Sequence, residues 1–305
     1  MKRKRNKTDG SAAILFVIPA AIAAFLVLIV PLAMSAYYSL TGWRILMPRT
    51  RTKIVWFDNY VEILTDPAFW SSIKVTLIYT VAGVSLESVV GLGLALLFRQ
   101  HFFGRNAMRT LMILPMVITP AVVGMFWKLL YDPNYGVYNY TLTSIGLPDV
   151  PWLERNWALF SVILMDVWES APFFMLVLLA GLQSEDKEAV EAARIDGARS
   201  WQIVYYLTLP HLLPYLAIAA AFRAIWSLSE FDKVYMLTLG GPGDATTTMS
   251  LYAYKVGFIS FDIGKISAVS WIIAVLTLIV TAPLIGYLLR GRNARNARSQ
   301  TETEQ

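Results

Sequence analysis

The chain has 305 residues, of which 56% are hydrophobic and only 15% charged, with a net charge of +5 and a mean hydropathy of +0.53. A soluble domain carries roughly 25% charged residues, so this composition excludes a disordered or coiled-coil chain and points to a membrane protein. Cysteine is absent, which excludes disulfide frameworks, thiol catalysis, Cys-ligated zinc and iron–sulfur centres.

In chain order, Met1–Gly10 is polar and holds Lys2, Arg3, Lys4, Arg5 and Lys7. The apolar run Ala12–Leu40 is longer than the roughly 7–15-residue core of a signal peptide, and so predicts a retained transmembrane helix. Further apolar stretches follow at Ile73–Phe98, Thr110–Leu130, Trp157–Leu182, Leu212–Leu228 and Ile266–Leu289. The expectation is an all-α membrane protein with six transmembrane helices. With the N-terminus inside, fifteen basic residues fall on the cytoplasmic side and eight on the outer side. That bias places both termini in the cytoplasm. The first outer loop, with Arg44, Arg49, Arg51 and Lys53, runs against it.

The outer loops read as ordered. Tyr60, Phe69 and Trp70 stand near a span boundary as interfacial anchors, and Gly240-Gly241-Pro242-Gly243 is a compact turn signal. Neither an internal repeat nor a soluble domain between spans is visible. The organisation read from the chain is residues 1–69 (N-terminus, first span and outer loop), 70–289 (the main transmembrane domain) and 290–305 (a cytoplasmic tail).

The loop between the fourth and fifth spans, residues 184–210, carries the most information. Ser184 can cap a helix, and Glu185, Asp186 and Glu188 suit its first turn, where the helix dipole favours carboxylates. Ala189, Ala192 and Ala193 share one small-residue face. Asp196-Gly197 breaks the helix. Trp201, Val204, Tyr205 and Thr208 continue at helical spacing, and Pro210 stands just before the next span. Helix, glycine turn and second helix form a lever that could pass force from a soluble partner into a span. Periodicity alone leaves this open against an ordinary structured loop.

The segment closely resembles the cytoplasmic signature loop of ATP-binding-cassette importer permeases: Glu-Ala-Ala, three residues, Gly, nine residues, then Ile-x-Leu-Pro. Here it runs Glu191-Ala192-Ala193, Gly197 and Leu207-Thr208-Leu209-Pro210, with Leu207 for the usual Ile. Asp196 and Ala198 also match the common form. Phe57-Asp58-Asn59-Tyr60, Trp168 with Pro172, Ala180-Gly181-Leu182-Gln183 and the Gly-Gly-Pro segment are similar to the carbohydrate-uptake branch, and to the maltose-type or glycerol-phosphate-type first permease. The resemblance implies the type I importer permease fold in a bacterial inner membrane. It further implies that Glu191, Ala192, Ala193, Asp196, Gly197 and Pro210 belong to the element coupled to the ATPase. The implied partners are a second permease, two ATPase subunits, an outer solute-binding protein and a sugar. ATP and magnesium would sit on the ATPases, with no cofactor bound by this chain.

Charged groups inside spans are costly and face a cavity or a partner. The candidates are Glu87, Lys128, Asp166, Glu169, Arg223 and Glu230; Lys128 and Glu230 lie near span ends and can snorkel. Asp166, Glu169 and Phe173 share a face of the fourth span, with Ser170 beside them. Arg223, Trp226, Ser227 and Glu230 share a face of the fifth. In the maltose-type family the sugar lies against these two helices, so the resemblance implies substrate contacts at Asp166, Glu169, Ser170, Phe173, Arg223, Trp226 and Ser227. Carboxylates accept hydroxyl hydrogen bonds and aromatic rings stack on sugar faces. Arg223 could instead pair with Asp166 or Glu169; left free, its fork would suit an acidic sugar.

An enzyme site does not emerge. His101 and His211 belong to no metal pattern, and a P-loop segment is missing. Gly91 and Gly93 read as small residues for close helix packing. The basic N-terminus suits anionic lipid better than nucleic acid. The competing reading, an ion-coupled secondary sugar transporter, would commonly show two related halves and has no use for a signature coupling loop.

Overall fold

The computed structural model describes residues Ile18–Thr303. The basic N-terminal residues, the Ala12–Val17 start of the first span and the side chains of Arg290, Arg292, Arg295 and Arg298 lie outside the described residues. The chain is built of helices: α1 (Ile18–Ser39), α2 (Asp58–Thr65), α3 (Pro67–Arg99), α4 (Arg105–Val117), α5 (Pro120–Leu130), α6 (Val137–Ser144), α7 (Ala158–Gln183), α8 (Lys187–Ile195), α9 (Ser200–Leu228), α10 (Asp232–Thr238), α11 (Met249–Tyr254) and α12 (Ile263–Thr303). Among the described residues five helices are long and apolar enough to cross a bilayer.

The sixth expected span, Thr110–Leu130, is not one helix. It divides into α4 and α5, which meet at 101°. Pro120 has no N–H to continue a helix, and its ring drives the preceding residue out of the helical region. Ile118 and Thr119 accordingly take extended backbone (ψ 140° and 131°) and Pro120 starts α5. The fifth span differs in the opposite sense. It does not begin near Leu212 but runs back through the signature loop to Ser200. Pro210 therefore lies inside α9. A π turn at Val204–Thr208 precedes it, with the Leu209 N–H donating to the Val204 carbonyl. The wider turn absorbs the hydrogen bond that proline cannot make.

The fold divides into two compact units, residues up to 66 with 253–273, and residues 67–252 with the chain from 274. In the first, the Asn59 side chain donates to the Ser39 and Thr41 carbonyls at 2.8 Å each and pins α2 to the end of α1. Two of the four basic residues that oppose the orientation bias are held here. Arg44 pairs with Asp262 at 3.2 Å, and Arg51 lies 4.9 Å above the Trp43 ring and donates to the Tyr38 hydroxyl. These cations are part of the loop's own structure.

In the second unit α7 is the central helix, its apolar window 72% buried. It packs along α3, with α9 and α4 also against it. Phe98 and Ala95 of α3, Met175, Leu178, Leu179 and Leu182 of α7, and Leu212 of α9 form a buried cluster. Gly91 sets the approach of α3 to α7: a Cβ there would meet the Phe174 Cβ at 2.3 Å and the Ala171 carbonyl at 3.0 Å. Gly93 does not share this role, since a Cβ there meets nothing within 4 Å. Gly91→Ala should therefore push the two helices apart and destabilise by about 1–3 kcal/mol, while Gly93→Ala is neutral. Thermal unfolding of the two purified variants side by side measures the difference.

Candidate functional site

Six charged side chains that are distant in the chain meet inside the second unit. Glu87 comes from α3, Asp166 and Glu169 from α7, Arg223 from α9, Glu230 from the turn after α9, and Lys233 from α10. Arg223 donates from Nε and Nη2 to both Glu87 carboxylate oxygens at 2.7 Å each. The same Nη2 donates to Asp166 Oδ2 at 3.0 Å. Lys233 Nζ donates to Asp166 Oδ1 and pairs with Glu169 Oε2 at 2.9 Å and Glu230 Oε2 at 3.2 Å. The Lys233–Glu169 contact is an ion pair without good hydrogen-bond direction, since Glu169 Oε2 has no hydrogen-bond partner.

Burial grades across this group. The Glu87 and Asp166 side chains are wholly buried, whereas Glu169 and Glu230 keep 8% and 12% of theirs exposed. Asp166 bridges the two cations. Ser170 donates to Asp166 at 3.4 Å, and Ser227 to the Thr80 hydroxyl at 3.1 Å. Toward the surface, Phe173 of α7 and Trp226 of α9 stand 5.5 Å apart, ring centre to ring centre, and Trp226 is half exposed. A partly exposed aromatic pair on the helices that carry these carboxylates can hold a polyhydroxylated ring by stacking and hydroxyl hydrogen bonds.

The two faces expected on the fourth and fifth spans are thus brought together, and Arg223 is paired rather than free. Its partners are Glu87 and Asp166, while Glu169 pairs with Lys233. Glu230 does not snorkel; it closes onto Lys233 one turn ahead. Sequence reasoning missed the Glu87–Arg223 fork and left Lys233 out of the charges expected inside the spans. The available signal was charge balance, since Arg223 alone leaves most of the carboxylates unpartnered, and Glu230 and Lys233 stand at i, i+3 spacing.

The signature loop forms as a short helix, a turn and a long helix. The cap of α8 is Asp186, not Ser184: its Oδ1 accepts from the Glu188 and Ala189 N–H groups. Ser184 instead closes α7, donating to the Gly181 carbonyl at 2.8 Å. Glu185 turns back to Arg99 at 2.6 Å and ties the loop to the end of α3. Gly197 sits at φ +84°, and the Ala198 N–H donates to the Ala193 carbonyl, the usual close of a helix on a left-handed glycine. Glu191, Ala192, Asp196 and Gly197 are exposed and Ala193 is half-buried. Ile195 is 86% exposed, and Trp201, Tyr205 and Tyr206 are exposed along the start of α9. His211 contacts the Gly181 carbonyl at 3.0 Å, a structural place at the end of α7.

Residues 87–294 match the family model described as binding-protein-dependent transport system inner membrane component. A probable ABC transporter permease protein of Sinorhizobium fredii is 53% identical over 289 residues, 95% of this chain and 94% of that protein. The trehalose/maltose transport system permease protein MalF of Thermococcus litoralis is 38% identical, over 78% of this chain and 80% of its own. Among solved structures, a bacterial ABC transporter involved in import of the acidic polysaccharide alginate matches with a TM-score of 0.80 at 24% identity, over 93% of this chain and 96% of that one.

Removing one member of a buried ion network leaves the others desolvated and uncompensated. Arg223→Met should therefore lower stability by about 3–5 kcal/mol. Glu87→Gln in the same chain should recover part of the loss, because it removes the charge that Arg223 holds. A double-mutant cycle on the denaturation midpoint measures the coupling.

Proposed function

The chain belongs to the family of binding-protein-dependent transport system inner membrane components, and from that membership we propose that it is one permease subunit of an ATP-binding-cassette sugar importer. It forms half of a translocation pathway with a second permease. Two ATPase subunits hold the ATP and magnesium, and an outer binding protein delivers the sugar. Both termini and the signature loop face the cytoplasm, which agrees with the distribution of basic residues.

One observation carries this reading. The exposed helix α8 is joined through Gly197 to α9, and α9 runs without interruption from the signature loop to Arg223 and Trp226. A displacement of α8 by a partner is therefore delivered along one rigid helix to the site. Glu191, Ala192, Ala193, Asp196 and Gly197 make the ATPase contact, and Pro210 follows the π turn through which α9 enters its span. Nucleotide binding and hydrolysis on the partner move α8, and α9 tilts against α7. The pathway then opens alternately inward and outward. This chain performs no chemistry. The loaded binding protein shifts the equilibrium by having unequal affinity for the two states.

The substrate face is the part of the cluster nearest the surface. Phe173 and Trp226 stack on the sugar, and Glu169 accepts its hydroxyls. Asp166, Ser170, Arg223 and Ser227 stand behind them, each bonded to another side chain, and fix their positions. The similarity to a trehalose/maltose permease supports a sugar as cargo.

Gly197→Pro and Glu191→Lys should each abolish transport while leaving the complex assembled, because proline cannot take φ +84° and lysine reverses a contact charge. Purified complexes whose binding-protein-stimulated ATPase equals the parent's would contradict the reading. The chain has no native cysteine, so Ala193→Cys gives a single site for cross-linking. The expected adduct joins this chain to the nucleotide-hydrolysing subunit.

A further inference from the structure

We propose that the site selects its cargo by charge: it takes carbohydrates that are uncharged or bear an amine, and rejects acidic ones. The inference rests on the sugar-pathway reading above and adds the class of sugar.

The observation is the balance of charge in the cluster. Four carboxylates, Glu87, Asp166, Glu169 and Glu230, meet two cations, Arg223 and Lys233. Both cations are already engaged. Arg223 gives its fork to Glu87 and a further bond to Asp166. Lys233 is shared among three carboxylates. An ammonium has three donors, so an acidic sugar arriving here would have to displace a buried carboxylate to reach it. The excess of carboxylates over cations is also placed asymmetrically. The fully buried pair Glu87 and Asp166 has Arg223 between them, while the two carboxylates with exposed surface, Glu169 and Glu230, share the single Lys233.

A feature independent of the charge count marks this as a place where a ligand sits. The Phe173–Trp226 pair offers ring faces, half exposed at Trp226, which suit a sugar and also attract a cation. An excess of one sign of charge beside low-dielectric walls concentrates the opposite charge and repels its own, by roughly 10-fold to 1,000-fold in encounter rate.

The absence of cysteine makes a direct test available on the assembled complex. Trp226→Cys places one thiol at the rim, and Phe173→Cys on the facing helix repeats the measurement should the first variant fail to assemble. Each is treated with a cationic trimethylammonium-ethyl, an anionic sulfonato-ethyl or a neutral methyl methanethiosulfonate. Modification is followed by the intact mass of this chain, and each rate is divided by that for free cysteine. The expected normalised ratio of cationic to anionic reagent is about tenfold or more, and it falls toward one when Glu169→Gln and Glu230→Gln are added. A ratio near one or below, or one that the two glutamines leave unchanged, overturns charge selection while the pathway reading stands. Failure of the neutral reagent to react, with and without nucleotide, removes the site from the pathway and the proposal with it.

Discussion

Arg223, bridging carboxylates of α3 and α7, and Lys233, holding two carboxylates of α7 and Glu230, are the constraint on which the rest of this structure depends. Glu87 and Asp166 have no exposed side-chain surface, and a carboxylate in that position survives only with a cation against it. Their partners must therefore come from α9 and α10, and the four elements are locked in one register. Gly91 lets α3 and α7 approach closely. Gly124 does the same for α5 and α10, where a Cβ would meet the Lys233 carbonyl at 2.8 Å. The small residues are where the backbones have to come together for the charges to meet.

The same arrangement gives the site its division of labour. The inner ion pairs supply position, and the outer carboxylates and aromatic rings supply surface. An ion network inside an apolar bundle is a weak source of net stability, because desolvation offsets most of the attraction. Its value lies in specificity of arrangement: hydrophobic contacts alone would let α9 slide along α3, whereas the Arg223 fork on Glu87 accepts one geometry.

The loop after α1 in the first unit shows a related economy of charge. Arg44 and Arg51 oppose the basic bias read along the chain, yet each has a fixed partner, Asp262 for one and Trp43 with Tyr38 for the other.

The residue pattern by itself determined the helical membrane class, the extent of most spans, the helix–glycine–helix form of the loop at 184–210 and the shared faces on α7 and α9. These are local properties, set by hydrophobic length, helical period and the backbone demands of Gly197. Tertiary structure decided the rest. The right angle between α4 and α5 was latent in Thr119-Pro120, but an apolar run of span length conceals it, because hydropathy carries no direction. The run of α9 through Pro210 depended on a π turn that no propensity signals. Which carboxylate meets which cation was decided only by the packing, since Glu87 and Arg223 are 136 residues apart and an ion pair leaves no periodicity in the chain.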